Sequence, residues 1–461
     1  MKSHRFFSVF FALILVLTSL APTALAAEED AAAVEPPVIE AKAALLMDPN
    51  TDEILFEQNI HERLYPASLT KVMTALLTFE AIDRGEITLD TVFTASEEVI
   101  ARLPSDGSNA GIKAGESFTV DQLLHCILVV SANEACDILA EGLAGSVDAF
   151  VERMNKRAEE LGCKDTHFVN TNGLHDTEHY TSAWDLYLIG REARKNDTFM
   201  RICGSTYVEL PATEQSKARK FYTTNYLIST ARSDRYLYRG ATGMKTGSTN
   251  AAGYCLMATA TRDDRDLFSV VLGAERITLE DGSKETKSFS ETVKLLNWGF
   301  DSFDRETILS PDELLAEVPV TLSQQQNAVK VHPAEEILCL VPKGVDPEKD
   351  IHREIVFKQE SVEAPVKRGQ VLGQITLSMG DKVYGTVDLL ADEDVAASRL
   401  LVAKRDFLLF LQRTEVKWTL IGVAALVVII VILRLMVNSR RRRYGRGYQG
   451  SKSGGYRGRR R

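Results

Sequence analysis

Three short stretches of this 461-residue chain carry residue types suited to nucleophilic acyl transfer. Ser68-Leu69-Thr70-Lys71 opens a predicted helix after Pro66, Ser131-Ala132-Asn133 lies on a predicted helix or at its break, and Lys245-Thr246-Gly247 ends a predicted strand. Three residues apart on a helix, Ser68 and Lys71 share a face. A serine hydroxyl is a poor nucleophile until a base takes its proton. A lysine amine is such a base only when neutral; burial lowers its pKa, and a second cation nearby lowers it further. Lys245, delivered from the sheet, is the candidate for that cation. At the helix start the Ser68 backbone N–H is among the unpaired donors. With an N–H from just after Gly247, that of Ser248, it can stabilise a tetrahedral oxyanion. Ser131 can relay a proton toward a leaving amine, and Asn133 can donate to and accept from an amide. Lys245 and Thr246 can hold a substrate carboxylate, with Gly247 leaving room for an extended substrate strand. Each stretch alone is a weak signal; all three, in this order on these elements, are specific.

The elements that must position them follow from periodicity and punctuation. A hairpin is predicted from Ala43–Met47, a turn at Asp48-Pro49-Asn50-Thr51, and Glu53–Glu57. A helix runs from Ser68 to about Arg84, closed by Gly85. Residues 119–144 form a strongly apolar helical region with Ser131 near its middle, and 146–161 an amphipathic helix with Phe150, Met154 and Leu161 inward. Strands return at 240–247, followed by a turn at Ser248-Thr249-Asn250, then at 252–261 and 267–274, before a helix at 288–300. Strands at both ends of a helical insert imply an α+β fold, an antiparallel sheet flanked by helices, with the N-terminal hairpin beside strands 240–274. From 316 to 396 short alternating strands with Gly, Pro and Asp turns indicate a small C-terminal β-sandwich domain.

Composition sets the compartment. All 64 acidic residues fall between 27 and 433, where there are 41 basic ones, whereas eleven basic residues lie from Arg434 onward. An acidic body with a basic tail argues against a nucleic-acid partner and for a membrane between the two. Residues 1–26 read as a signal peptide: Lys2 and Arg5, an apolar run from Phe6 to Leu20, then Ala24-Leu25-Ala26. Trp418–Val437 is long and apolar enough for one transmembrane helix, and Arg440-Arg441-Arg442-Arg443 keeps the 438–461 tail cytoplasmic, facing anionic lipid. The expected organisation is thus signal peptide, leader 27–40, catalytic domain 41–305, β-rich domain 310–396, helical stem 397–417, span 418–437 and basic tail. Six irregularly spaced cysteines show neither a disulfide framework nor a zinc set, and buried free thiols are expected. His175 and His179 lie four apart with no H-E-x-x-H and no third ligand, so hydrogen bonding is their expected role; no metal or cofactor is predicted.

The text around the three motifs resembles the low-molecular-mass penicillin-binding proteins, the serine-type D-alanyl-D-alanine carboxypeptidases. The matching segments are Tyr65-Pro66-Ala67-Ser68-Leu69-Thr70-Lys71-Val72-Met73-Thr74, Ser131-Ala132-Asn133-Glu134-Ala135, Asn172-Gly173-Leu174, His179-Tyr180-Thr181-Ser182-Ala183, Met244-Lys245-Thr246-Gly247 and Ala252-Gly253-Tyr254-Cys255. More loosely, Ala364-Pro365-Val366-Lys367 and Gly369-Gln370-Val371-Leu372-Gly373 look like that family's C-terminal domain. The resemblance implies a β-lactamase/transpeptidase-like fold and acylation of Ser68 by peptidoglycan stem peptides ending in D-Ala-D-Ala. It also implies release of D-Ala, hydrolysis of the acyl-enzyme, and inhibition by β-lactams. A β-lactamase is the enzyme alternative, but no E-x-x-L-N stretch lies between Asn133 and Lys245, and the second motif is S-A-N and not S-D-N. A D,D-endopeptidase uses the same machinery and stays open, and an inactive envelope scaffold is the non-enzyme alternative. Many relatives end in an amphipathic helix lying on the membrane, whereas this apolar run is long enough to cross it.

Overall fold

The computed structural model describes residues 34–104, 107–231 and 233–444. The expected signal peptide, the start of the leader (27–33) and the end of the basic tail (445–461) lie outside the described residues.

The first compact unit is built on a five-stranded antiparallel sheet. Its strands are β1 (Ala43–Asp48), β2 (Glu53–Gln58), β3 (Ala241–Thr249), β4 (Gly253–Arg262) and β5 (Arg265–Ala274), in the order β2-β1-β5-β4-β3. The N-terminal hairpin thus joins the late strands as expected. Asp263 and Asp264 both have positive φ, 50° and 58°, at the two-residue β4–β5 turn; turns of that twist match paired strands. Alternation divides the strands between two cores. Leu45, Met257 and Val270 face one, and Leu46, Leu256 and Val271 face the other. Buried on both sides, β1 reads as the unbroken run AALLMD.

Helices α1 (Lys71–Asp83), α2 (Asn133–Ala144), α3 (Val147–Glu160) and α4 (Ala183–Ala193) contribute to the first core. Helix α5 (Lys287–Ser302) packs on the second with Leu295, Leu296 and Phe300. The described end of the leader runs along α5: Trp298 Nε1 donates to the Glu35 carbonyl at 3.0 Å.

Several local expectations need correction. The helix predicted from Ser68 starts as a 3₁₀ turn, Ala67–Thr70, before α1. The single helical region predicted over 119–144 is interrupted: Val120–His125 carries a Thr119/Gln122 capping box, Cys126–Val130 widens to a π turn, and Ser131 turns left-handed at φ 69°. Hydrophobicity does not report such a widening, because all five π-turn residues are buried. The turn predicted at Ser248-Thr249 falls later, because β3 continues through Thr249. Leu161 caps α3 and is half-buried, while Phe150 and Met154 are buried. The antiparallel pairs Val92–Thr94/Ser117–Thr119 and Tyr207–Leu210/Arg219–Tyr222 were not predicted, being strands of three or four residues.

The second unit comprises Leu309–Glu336, Arg353–Ser378 and the described residues from Val383 on; Ile337–His352 belongs with the first. This C-terminal region is strand-rich, with a six-stranded sheet whose buried positions include Val318, Val329, Val331, Ile375, Leu377 and Leu389. Helix α6 (Arg399–Gln412) follows, breaks at extended Arg413, and gives way to α7 (Thr414–Tyr444). The predicted stem to 417 therefore ends earlier, and the long apolar helix already begins at Thr414. Its segment Thr414–Arg440 has 27 residues and holds an 18-residue window of mean hydropathy 3.0, none of which is buried. At about 1.5 Å per residue it is about 40 Å long, enough for a bilayer core.

Candidate active site

The site starts with an unusual backbone. Ala67 has φ 48°, a left-handed value, directly before Ser68. The following 3₁₀ turn has three residues per turn, so positions i and i+3 eclipse. Ser68 Oγ and Lys71 Nζ accordingly stand 2.8 Å apart. A helix of 3.6 residues per turn would offset them. Gly173 supports this turn from outside: a Cβ there would lie 1.8 Å from the Ala67 carbonyl oxygen.

Lys71 is fully buried. Besides Ser68 Oγ, Nζ donates to Asn133 Oδ1 at 2.8 Å and to the Asn172 carbonyl at 2.6 Å. These last two can only accept, whereas a hydroxyl can donate or accept. A neutral amine has two N–H groups for the two obligate acceptors and one lone pair for the Ser68 O–H. The arrangement therefore satisfies an uncharged amine completely. Burial lowers the Lys71 amine to about 8, against weaker opposing pulls from Cys136, Asp137 and Glu134.

Lys245 is also fully buried. It lies in a cross-sheet row, paired with Met257, which pairs with Val270, which pairs with Leu45. Cross-strand partners point to one face, so Lys245 is carried to the helix-covered side where Lys71 sits. Burial first, and the Lys71 charge second, lower its amine to about 7. The expectation that Lys245 depresses Lys71 is thereby modified: burial is the leading cause for both lysines, and the repulsion between them registers on Lys245. Lys245 Nζ donates to the Thr246 carbonyl at 2.9 Å.

The break after the π turn places Ser131 on the cleft and lets Asn133 start α2. Asn133 was expected to offer both amide atoms to substrate. Its Oδ1 is instead engaged by Lys71, which orients the Nδ2 donor away from that amine. Ser68, Ser131, Thr246, Gly247 and Ser248 line one cleft of about 300 Å³. At Gly247 a Cβ would come within 2.9 Å of the Pro66 carbonyl oxygen and 3.0 Å of Ser68 N, so the strand end lies against the turn that carries Ser68. Among the described residues no cluster of three or more potential metal ligands occurs.

Other contributors were not among the predicted site residues, although Asn172, Tyr254 and His179 fall in segments that carry the family resemblance. The Asn172 carbonyl is main chain, so its role depends on the loop path and not on side-chain type. Thr224 Oγ1 lies 2.6 Å from Thr246 Oγ1, and Ser108, Tyr254 and Arg276 also line the cleft. His179 is buried, with Nδ1 accepting from Val169 N–H at 3.1 Å and Nε2 2.8 Å from Thr70 Oγ1. Nε2 therefore holds the ring proton and donates to Thr70, which in turn donates to the Ala67 carbonyl at 2.9 Å. Burial lowers this imidazole to about 4, keeping it neutral. All six cysteines are free thiols.

A family model described as D-alanyl-D-alanine carboxypeptidase matches residues 30–276, and one described as the C-terminal domain of penicillin-binding protein 5 matches 303–397. The chain is 33% identical over 405 residues to D-alanyl-D-alanine carboxypeptidase DacF of Bacillus subtilis, covering 88% of this chain and 96% of that protein. It is 31% identical over 381 residues to DacC of Escherichia coli, covering 81% and 88%. The crystal structure of penicillin-binding protein 5 from Haemophilus influenzae superposes with a TM-score of 0.63 at 30% identity, over 79% of this chain and all of that one, 100%. The family acts on peptidoglycan peptides ending in D-Ala-D-Ala and binds β-lactams. With a serine–lysine pair in a transpeptidase-like α+β domain and a β-rich domain after it, the chain belongs to the D-alanyl-D-alanine carboxypeptidase family of penicillin-binding proteins and is a serine-type D-Ala-D-Ala carboxypeptidase.

Proposed function

We propose that Ser68 is the nucleophile and neutral Lys71 its base, acting on stem pentapeptides of peptidoglycan. The observation that carries this reading is the partner set of Lys71, which leaves one lone pair for the Ser68 proton. Ser68 Oγ attacks the carbonyl carbon of the penultimate D-Ala as its proton passes to Lys71 Nζ. The Ser68 and Ser248 N–H groups receive the developing oxyanion, an effect worth about 10²–10³ in rate per donor. Ser131 relays that proton from Lys71 Nζ to the leaving amine, the C–N bond breaks, and terminal D-Ala departs. Water then cleaves the ester and the proton returns through Lys71. Thr246 with Lys245 holds the terminal carboxylate, and Arg276 on the cleft wall adds charge there. Asn133 Nδ2 donates to a substrate carbonyl, and the substrate strand lies along β3 past Gly247. A β-lactam acylates the same serine.

The α7 helix is read as a single span that leaves the catalytic domain outside the cytoplasm and the arginine-rich tail inside, against anionic lipid. The acidic body supports peptide and not nucleic acid as partner. The test is release of D-Ala from a pentapeptide by the full chain in detergent, beside labelling with a fluorescent penicillin. Wild type performs both and Ser68→Ala neither. Equal D-Ala release by wild type and Ser68→Ala overturns the assignment.

A further inference from the structure

The polar seam between α1 and α2 continues past the groups that the reaction needs. Asp137 lies one helical turn after Asn133, so the two side chains share a face. Asn133 meets Lys71, whereas buried Asp137 accepts a hydrogen bond from the Thr171 hydroxyl. Thr171 is held from a second side, because Thr74 Oγ1 on α1 donates to its carbonyl at 2.6 Å. The next carbonyl along the chain, that of Asn172, accepts from Lys71 Nζ. Asn170 Oδ1 closes the loop by accepting from the N–H groups of Asn172 at 3.2 Å and Gly173 at 2.7 Å. A buried carboxyl is costly in a helix interface unless it is paired, and here its partner is the residue before the base's own acceptor.

We propose that Asp137 is a positioning residue for acylation: through Thr171 it holds the Asn172 carbonyl against the Lys71 amine. Its carboxylate is also among the charges that oppose the lowering of that amine by burial. The inference rests on the reading of Lys71 as base. The groups around Asp137 are Thr171 from the loop, Lys71 from α1, Glu134 from α2 itself and Arg102 from the segment after the helix Glu97–Ala101. Burial pushes the Asp137 carboxyl up to about 6, so it is ionised where Lys71 titrates.

The test measures labelling of the full-length protein by a fluorescent penicillin between pH 6 and 9.5. Asp137→Asn keeps an acceptor for Thr171 and removes the charge. Its rising limb is expected to move to lower pH by about half a unit to one unit. Thr171→Val removes the hydroxyl and leaves every charge in place. It is expected to label about tenfold more slowly with an unmoved limb, and Thr171→Ser to restore the rate. An unmoved limb in Asp137→Asn, a Thr171→Val rate equal to wild type, or a Thr171→Ser as slow as Thr171→Val overturns the proposal. A wild-type profile with no rising limb instead refutes Lys71 as base, and this inference with it.

Discussion

Replacing Gly247 by alanine tests whether the closeness of β3 to the nucleophile's turn sets the reaction geometry. Gly247 is not among the residues of positive φ, so alanine meets no backbone penalty and the effect is steric. The added Cβ would lie 2.9 Å from the Pro66 carbonyl oxygen, 3.0 Å from Ser68 N and 3.2 Å from Leu69 N. Ordinary contact begins at 3.4 Å, and all three neighbours are backbone atoms that cannot rotate aside. The strand must therefore retreat from the turn by about half an ångström, carrying the Ser248 amide away from the Ser68 amide. A displacement of about 1 Å costs roughly 10²-fold in a positioned reaction, so the loss expected here is about 10- to 100-fold in the second-order labelling rate with a fluorescent penicillin. Overpacking destabilises by about 1–3 kcal/mol, visible as a lower thermal midpoint in a protein that still folds. Lys71 keeps its partners, so the pH at which labelling rises should not move. A folded Gly247→Ala that labels within threefold of wild type would refute the idea that this contact aligns the oxyanion donors.

On the proposal that Lys71 is the base, its amine must be uncharged to act; burial places it at about 8, so labelling should rise with pH through that value and fall below it. Lys71→Arg, whose guanidinium stays charged, should be slower by about 10²–10⁴-fold at every pH; a flat wild-type profile from pH 6 to 9 contradicts this. Thr224→Val removes the hydroxyl beside Thr246 and should raise KM for a D-Ala-D-Ala peptide about fivefold with kcat little changed, as loss of about 1 kcal/mol of binding. A kcat loss without a KM change would place Thr224 elsewhere in the reaction. Alkaline carbonate washing should leave the full chain in the membrane pellet, as a spanning helix of 27 apolar-rich residues requires; release into the wash would show a peripheral attachment.

The candidate site was legible in sequence wherever it depends on side-chain type at short range. Ser68 and Lys71 are three apart, Thr246 and Gly247 adjoin Lys245, and these relations survive without knowledge of the fold. That the N-terminal hairpin joins the strands at 240–274 was equally readable, because strands at both ends of the domain each need a partner for their backbone groups; the strand order was not. What tertiary structure decided is everything that depends on angle and on contacts between distant segments. The 3₁₀ turn that aligns Ser68 with Lys71, the π turn that delivers Ser131, and the break at Arg413 are differences of backbone dihedral that apolar periodicity does not encode. The protonation state of Lys71 was in the same position: a lysine becomes a base when burial removes its water and carbonyls such as that of Asn172 arrive from another part of the chain. Residue types pointed to the family and its chemistry; packing supplied the low dielectric around Lys71 and the alignment of the groups it meets.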